Sequence, residues 1–186
     1  MSDPKAEFER LLAELRPRLH RYCARMTGSV IDGEDVLQEA MIKAIEAFPH
    51  TGPLSNAEGW LFRIAHNLLI DDVRRKSHDA LLHASKHQAK EDDDHIQRIA
   101  DDLLPPDVTI EKQEVAELIE RLLDEIPADQ RETFTMHHFQ DLSLPDIADA
   151  MDVPLATCKS RLRLAREKLS EKLVLRGFTP APATSP

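Results

Sequence analysis

The sequence predicts an all-α fold: two small helical domains joined by a linker, the C-terminal one containing a helix-turn-helix. Three observations carry this expectation. Apolar residues recur at spacings of three and four through several segments, the mark of amphipathic helices, and no segment shows the alternation of a half-buried strand. The pattern is interrupted between residues 77 and 109 by an acidic stretch that includes Pro105-Pro106. Near the C-terminus a short periodic segment, a tight break and a longer periodic segment follow one another, as in a helix-turn-helix. The 186 residues suffice for two domains of roughly 50–100 residues each.

In the first domain, residues 6–76, a helix is expected from Glu7 to about Met26, with Phe8, Leu11, Leu12, Leu15, Leu19, Tyr22 and Cys23 on its apolar face and Pro17 as a kink or break. Thr27-Gly28 ends it. Asp32 is the expected cap of a second helix whose inward face holds Val36, Leu37, Ala40, Met41, Ala44, Ile45 and Phe48. A loop spans Pro49 to Pro53. Ser55 and Glu58 have the spacing of a capping box and open a third helix through about Arg75, lined by Trp60, Leu61, Ile64, Ala65, Leu68, Leu69 and Val73. Three helices with short connections can enclose one small core.

Residues 77–109 read as an acidic flexible linker, with a short helical stretch near Ile96 to Leu104. A second helical domain follows over 110–176. Val115, Leu118, Ile119, Leu122, Leu123 and Ile126 form a stripe stopped by Pro127. Ala128 to Phe139 buries Phe134 and one of Met136 or Phe139, and Asp141-Leu142 turns the chain. Ser143 caps a short helix with Pro145 in its first turn, where a missing N–H costs little. Ile147, Ala148 and Met151 face inward. After Asp152-Val153-Pro154 a long helix runs from about Leu155 to Leu175, and Gly177 opens a frayed, Pro-rich tail over 177–186.

Composition excludes several classes. Two cysteines are too few for a disulfide scaffold or a cysteine-built zinc site. No run approaches 18 apolar residues, and Met1 to Arg16 lacks the basic start and apolar core of a signal peptide, so a cytoplasmic protein without stable membrane insertion is expected. His78, His83, His87 and His95 invite a zinc hypothesis, but no Cys accompanies them, and neither metal nor cofactor is expected. No phosphate-cradling glycine loop or nucleophile triad is present, so the chain does not read as an enzyme.

The net charge of −10, taken as evenly spread, argues against a nucleic-acid partner. It is not evenly spread. Residues 81–120 hold 4 basic against 11 acidic residues, net −7, whereas residues 157–176 hold 7 basic against 2 acidic, net +5. An approaching phosphate backbone responds to the local helix, because charges beyond about 10 Å are largely screened at moderate salt. The plainer account of those cations is a solvated face with intrahelical ion pairs. In a helix-turn-helix the second helix presents its N-terminal residues to the major groove, which here singles out Thr157, Lys159, Ser160, Arg161 and Arg163. Leu155, Leu162 and Leu169, with Cys158 or Ala165, would pack back on the supporting helix, and the small Ala148 and Ala156 suit a close crossing.

Two stretches resemble the bacterial sigma-70 family of RNA polymerase sigma factors, in particular its extracytoplasmic-function (ECF) group. The first runs from Asp32-Gly33-Glu34-Asp35-Val36-Leu37-Gln38-Glu39 through Phe48 and on to Trp60-Leu61-Phe62-Arg63-Ile64-Ala65-His66-Asn67, ending at Arg74-Arg75. It resembles region 2. The second comprises Ile126-Pro127-Ala128-Asp129-Gln130-Arg131-Glu132, Leu142-Ser143-Leu144-Pro145-Asp146-Ile147-Ala148 and Val153-Pro154-Leu155-Ala156-Thr157-Cys158-Lys159-Ser160-Arg161-Leu162. It resembles region 4. The likeness covers roughly residues 6–76 and 110–175, in family order.

The resemblance implies an alternative sigma factor that binds core RNA polymerase, directs it to −35 and −10 promoter elements and promotes melting, with an anti-sigma protein holding it inactive and the free chain monomeric. Asp35, Gln38 and Glu39 would make polar contacts to the polymerase, and Leu37 and Met41 apolar ones. Asn56, Arg63, His66, Asn67, Arg74, Arg75 and Lys76 would lie near the downstream (−10) element. Thr157, Lys159, Ser160, Arg161, Arg163 and Arg166 would face the upstream (−35) element. Trp60 is either a stacking platform for a flipped base or a core residue sharing a face with Ile64 and Leu68. The chain departs from the family pattern where a Leu-Gly pair ends the supporting helix: Met151-Asp152 stands there, so Asp152 must go left-handed or the turn must rearrange. The acidic linker would be repelled by DNA and attracted to basic channels in the polymerase, or would weaken DNA binding by the free chain, or is a soluble spacer. Two rival functions remain: a sigma mimic that titrates an anti-sigma protein, and a stand-alone helix-turn-helix regulator.

Overall fold

The computed structural model describes residues 4–51, 56–79 and 112–177, with side chains described over 4–51, 56–72 and 118–177. Seven α-helices occur among them: α1 (Pro4–Thr27), α2 (Val30–Ala47), α3 (Ala57–Asp79), α4 (Lys112–Asp124), α5 (Ala128–His138), α6 (Leu144–Ala150) and α7 (Leu155–Leu175). A 3-10 turn, Phe48–His50, follows α2 directly. The fold is all-α, with two helical units. The expected linker helix near Ile96 to Leu104, the linker histidines beyond residue 79 and nearly all of the tail lie outside the described residues.

In the first unit α1, α2 and α3 pack pairwise. Phe8, Leu12, Leu15, Leu19, Tyr22 and Cys23 of α1 are buried, as are Val36, Leu37, Ala40 and Ala44 of α2 and Leu61, Phe62, Ala65, Leu68 and Leu69 of α3. Phe8 stacks on Phe48 at 3.9 Å between ring centroids and lies 6.1 Å from Trp60, so Trp60, half-buried, takes the packing role. Pro17 has no N–H to donate within α1, yet the helix continues through it. Gly28 ends α1 at φ +81°, donating its N–H to the carbonyl of Ala24.

The caps differ from expectation. Ser29, not Asp32, caps α2: its backbone is extended and its Oγ accepts the N–H of Asp32 at 3.2 Å. Because Gly28 reverses the chain at once, the helix begins three residues sooner, and Asp32 falls in the first turn, where its charge complements the helix dipole. Asn56 fills the role expected of the Ser55–Glu58 box, its Oδ1 accepting the N–H of Gly59 at 2.9 Å. Glu58 instead pairs with Arg18 of α1 at 2.7 Å. The face of α2 is also turned from the expected one. Ile45 is exposed, and Met41 and Phe48 are only half-buried, because Gly33 sets the approach of α1: a Cβ there would lie 2.5 Å from the backbone N and Cα of Ala24. Close contact at that point directs Gly33, Val36, Leu37, Ala40 and Ala44 inward.

The second unit is built on one cluster in which Leu118, Ile119, Leu122, Leu123 and Ile126 meet Phe134 and Phe139 and the α7 residues Leu162, Ala165, Leu169 and Leu173, with Leu144 packed against it. Phe134, Met136 and Phe139 are all buried. Ser143 caps α6, its Oγ accepting the N–H of Asp146 at 3.3 Å and donating to the Asp146 carboxylate. Between α6 and α7, Asp152 stands at φ +52°, so of the two expected outcomes, a left-handed Asp152 or a rearranged turn, the first is found. Helix α7 buries Cys158, Leu162, Ala165, Leu169 and Leu173. Leu155 is exposed, contrary to expectation, since it sits in the first turn, ahead of the buried stripe; Ala156 is exposed as well.

Candidate polymerase and nucleic-acid interfaces

Helix α2 carries its buried residues on one side and a continuous exposed stripe on the other. Ile31, Asp35, Gln38, Ile42 and Ile45 recur at spacings of four and three, the rhythm of a helix surface that meets another helix. Ile31 is 76% exposed, Ile42 56% and Ile45 53%, an unusual apolar presence on an otherwise charged surface. Glu39 flanks the stripe and pairs with Lys43 at 3.0 Å, while Gln38 donates to Glu34 at 3.2 Å. Of the expected apolar contacts, Leu37 is wholly buried and Met41 half-buried. Leu37 therefore belongs to the core, and the apolar part of this surface comes from Ile31, Ile42 and Ile45. Ile45 was expected inward and Ile31 and Ile42 were not singled out; the offset of all three from Val36, Ala40 and Ala44 was the available signal.

Helix α3 separates its candidates. Arg63 and Asn67 are exposed and one helical turn apart. His66 is 2% exposed, its Nδ1 within 3.2 Å of the Tyr22 hydroxyl, so it is a core residue and not a DNA contact. It shares its face with Phe62 and Leu69, which a polar reading of histidine overlooks. Asn56 is exposed but commits its Oδ1 to capping. Arg74, Arg75 and Lys76 continue the helix, and their side chains lie outside the described part.

Helix α7 presents Lys159, Ser160 and Arg163 to solvent, with Thr157 and Arg161 at the margins. The cations differ in their engagement. Lys159 makes no ion pair among the described residues. Arg163 pairs with Glu167 one turn on, both half-exposed. Arg161 reaches across to α5, its Nε 3.1 Å from Asp129 Oδ2. Arg166 turns the other way, onto His138 Nε2 at 3.3 Å, and so packs within its own unit instead of on the outer face. A guanidinium only donates, so in this contact His138 Nε2 is the acceptor. At the far end Glu125 accepts from Lys172 and Arg176, each at 2.7 Å. Its carboxyl is held below the usual range, first by the Lys172 hydrogen bond, and two of the seven cations of residues 157–176 are thereby tied up away from the helix start.

Burial governs the two thiols. Cys23 is pushed up to about 12, with the Glu34 charge adding to desolvation, and Cys158 is raised by burial against the opposing field of Arg161. Among the described residues no group of three His, Cys, Asp or Glu could hold a metal ion, and no helix is long and apolar enough to cross a membrane.

The first unit thus carries a helix with an exposed apolar-and-acidic seam, and the C-terminal part a helix-turn-helix with an outward basic start. Comparison with known proteins gives the class. The models of Sigma-70 region 2 and Sigma-70 region 4 match residues 11–78 and 116–169. The ECF RNA polymerase sigma factor SigW of Bacillus subtilis is 32% identical over 161 residues, covering 85% of this chain and 84% of that protein. The RNA polymerase sigma-H factor of Pseudomonas aeruginosa is 27% identical over 172 residues, covering 91% and 87%. Among solved structures, the sigma factor RpoE in complex with the anti-sigma factor NepR from Bartonella quintana shares the fold at TM-score 0.68 and 23% identity, over 91% of this chain and 98% of that one. The chain belongs to the sigma-70 family, in its ECF group, whose members are non-catalytic factors that work with RNA polymerase.

Proposed function

We propose that this sigma factor docks on core RNA polymerase through the α2 seam, with Ile31, Ile42 and Ile45 supplying apolar contact and Asp35, Gln38 and Glu39 polar contact. Residues 6–76 and 110–176 act as its two working domains, residues 77–109 as a linker and 177–186 as a tail. Arg63 and Asn67, with Arg74, Arg75 and Lys76, lie near the downstream element. Lys159, Ser160, Arg161 and Arg163, with Thr157 beside them, face the upstream element. The factor acts in the cytoplasm, and an anti-sigma protein holds it inactive by covering the docking surfaces; the RpoE of Bartonella quintana, solved with its anti-sigma factor, supports that partnership.

The observation that carries the reading is the exposed seam of α2. An isolated domain gains nothing from isoleucines half or more in water at heptad spacing, whereas a partner helix would bury them. The test mixes the chain with core polymerase and a promoter library and sequences the transcripts. Initiation from a shared pair of upstream and downstream sequences supports the reading. Core binding without initiation favours the mimic that titrates an anti-sigma protein, and no core binding overturns the docking assignment.

A further inference from the structure

The ion pair between Asp129 and Arg161 joins α5 to α7, and its geometry is more constrained than that of an ordinary surface pair. Asp129 lies in the first turn of α5, where a carboxylate is favoured by the helix dipole. Its two oxygens do different work: Oδ1 accepts the backbone N–H of Gln130 at 3.0 Å, and Oδ2 meets Arg161 Nε at 3.1 Å. The carboxylate is thus oriented by its own backbone before it meets the guanidinium. Arg163, by contrast, pairs along its own helix with Glu167, both side chains half or more exposed. Glu132, one turn beyond Asp129, and the Arg131–Asp124 pair at 3.3 Å complete the charged surroundings.

An acid beside a DNA-facing cation subtracts from the field that attracts phosphates, so neutralising a phosphate gives no reason for Asp129. An ion pair still in reach of water, here with Arg161 23% and Asp129 47% exposed, also adds little to stability. What such a pair supplies is direction. Engaged side-on through Nε, the arginine keeps the edge formed by its two terminal nitrogens for a second partner, and that edge matches the O6 and N7 acceptors of guanine in the major groove. Fixing it in advance removes part of the rotamer entropy otherwise lost on binding. We propose that Asp129 is a positioning residue that holds Arg161 so that its terminal edge reads a guanine in the upstream element. The proposal rests on the reading of α7 as the upstream-element helix.

The experiment uses the full chain bound to core polymerase and a duplex library randomised across the upstream element, comparing the parent with D129A, D129E and R161K. The parent should select guanine at one position. D129A and R161K should each weaken that preference about tenfold and leave the other positions unchanged, because the first loses the orientation and the second the planar, pre-organised fork of terminal N–H groups. D129E should restore part of it, which a general loss of packing would not allow. Affinity of D129A for random DNA should be equal or higher, since a negative charge is removed. An unchanged preference in D129A overturns the proposal. So does an R161K variant that keeps both the parent's preference and its salt slope, since a phosphate contact is served by either cation. If D129A fails to fold by circular dichroism, R161K and D129E decide. A parent that selects no upstream sequence at all would overturn the helix assignment itself, whereas selection that is indifferent to Asp129 overturns only the positioning role.

Discussion

Glu132 lies between Arg131 and Arg161 with Asp129 one turn away, and its carboxyl is largely withdrawn from water. Desolvation pushes it up to about 7, the two arginines acting against that and Asp129 adding to it. An unfolded chain releases this proton near 4.5. Between those values the folded state holds a proton the unfolded state has lost, so the contribution of Glu132 to stability falls as pH rises through that window and is flat above it. Glu132→Gln should therefore gain almost nothing near pH 4 and on the order of 2 kcal/mol above about pH 8, read by urea unfolding at each pH. A gain independent of pH would contradict this. The thiols make a second residue-scale prediction: Cys23 and Cys158, both buried and raised, should resist a thiol-specific reagent in the native protein and react on unfolding. What could be read from the sequence at this scale was uneven. Lys159 and Ser160 lie exposed where the helix-turn-helix spacing put them. His66 did not, because a histidine among Phe62, Leu69 and Tyr22 satisfies its ring nitrogen inside the core.

At the scale of helices, the approach of α1 to α2 depends on the absence of one Cβ. Gly33→Ala would drive a methyl against the backbone of Ala24, which has no flexible end to give way, and should cost roughly 2–3 kcal/mol in chemical denaturation. The two faces of α2 can then be told apart by substitution. Leu37→Ala removes a wholly buried side chain and should cost about 2–5 kcal/mol of stability. Ile42→Glu should leave the unfolding midpoint nearly unchanged and weaken core-polymerase binding at least tenfold by titration. Equal loss of stability in both variants would place the seam in the core. Element order and type were legible because periodicity survives small errors of register. The rotation of α2 was not: Ala44 and Ile45 are adjacent, both continue an apolar stripe, and only the close passage at Gly33 decides between them. Caps moved for a similar reason, since Ser29 and Asp32 are both competent and the reversal at Gly28 selects Ser29. The left-handed Asp152 was one of two outcomes that the family pattern left open, the other being a rearranged turn.

For the whole molecule the deciding quantity is where the charge lies. A net charge of −10 opposes DNA, and residues 81–120 contribute −7 of it. Within residues 157–176, Glu125 holds Lys172 and Arg176 and Arg166 rests on His138, so the outward cations are those of the helix start and Lys168. The free chain should therefore hold duplex DNA weakly, and replacing Glu91, Asp92, Asp93 and Asp94 by neutral residues should raise its affinity for random duplex several-fold at low salt, measured by fluorescence anisotropy. The same distribution predicts that promoter recognition depends on the polymerase, which would separate a sigma factor from a helix-turn-helix regulator working by itself. The most direct test is to measure binding of promoter and scrambled duplexes to the free chain and to the chain bound to core polymerase, in parallel at physiological salt. The account predicts no discrimination by the free chain and strong preference for the promoter by the complex. Specific promoter binding by the free chain, or none by the complex, would contradict it.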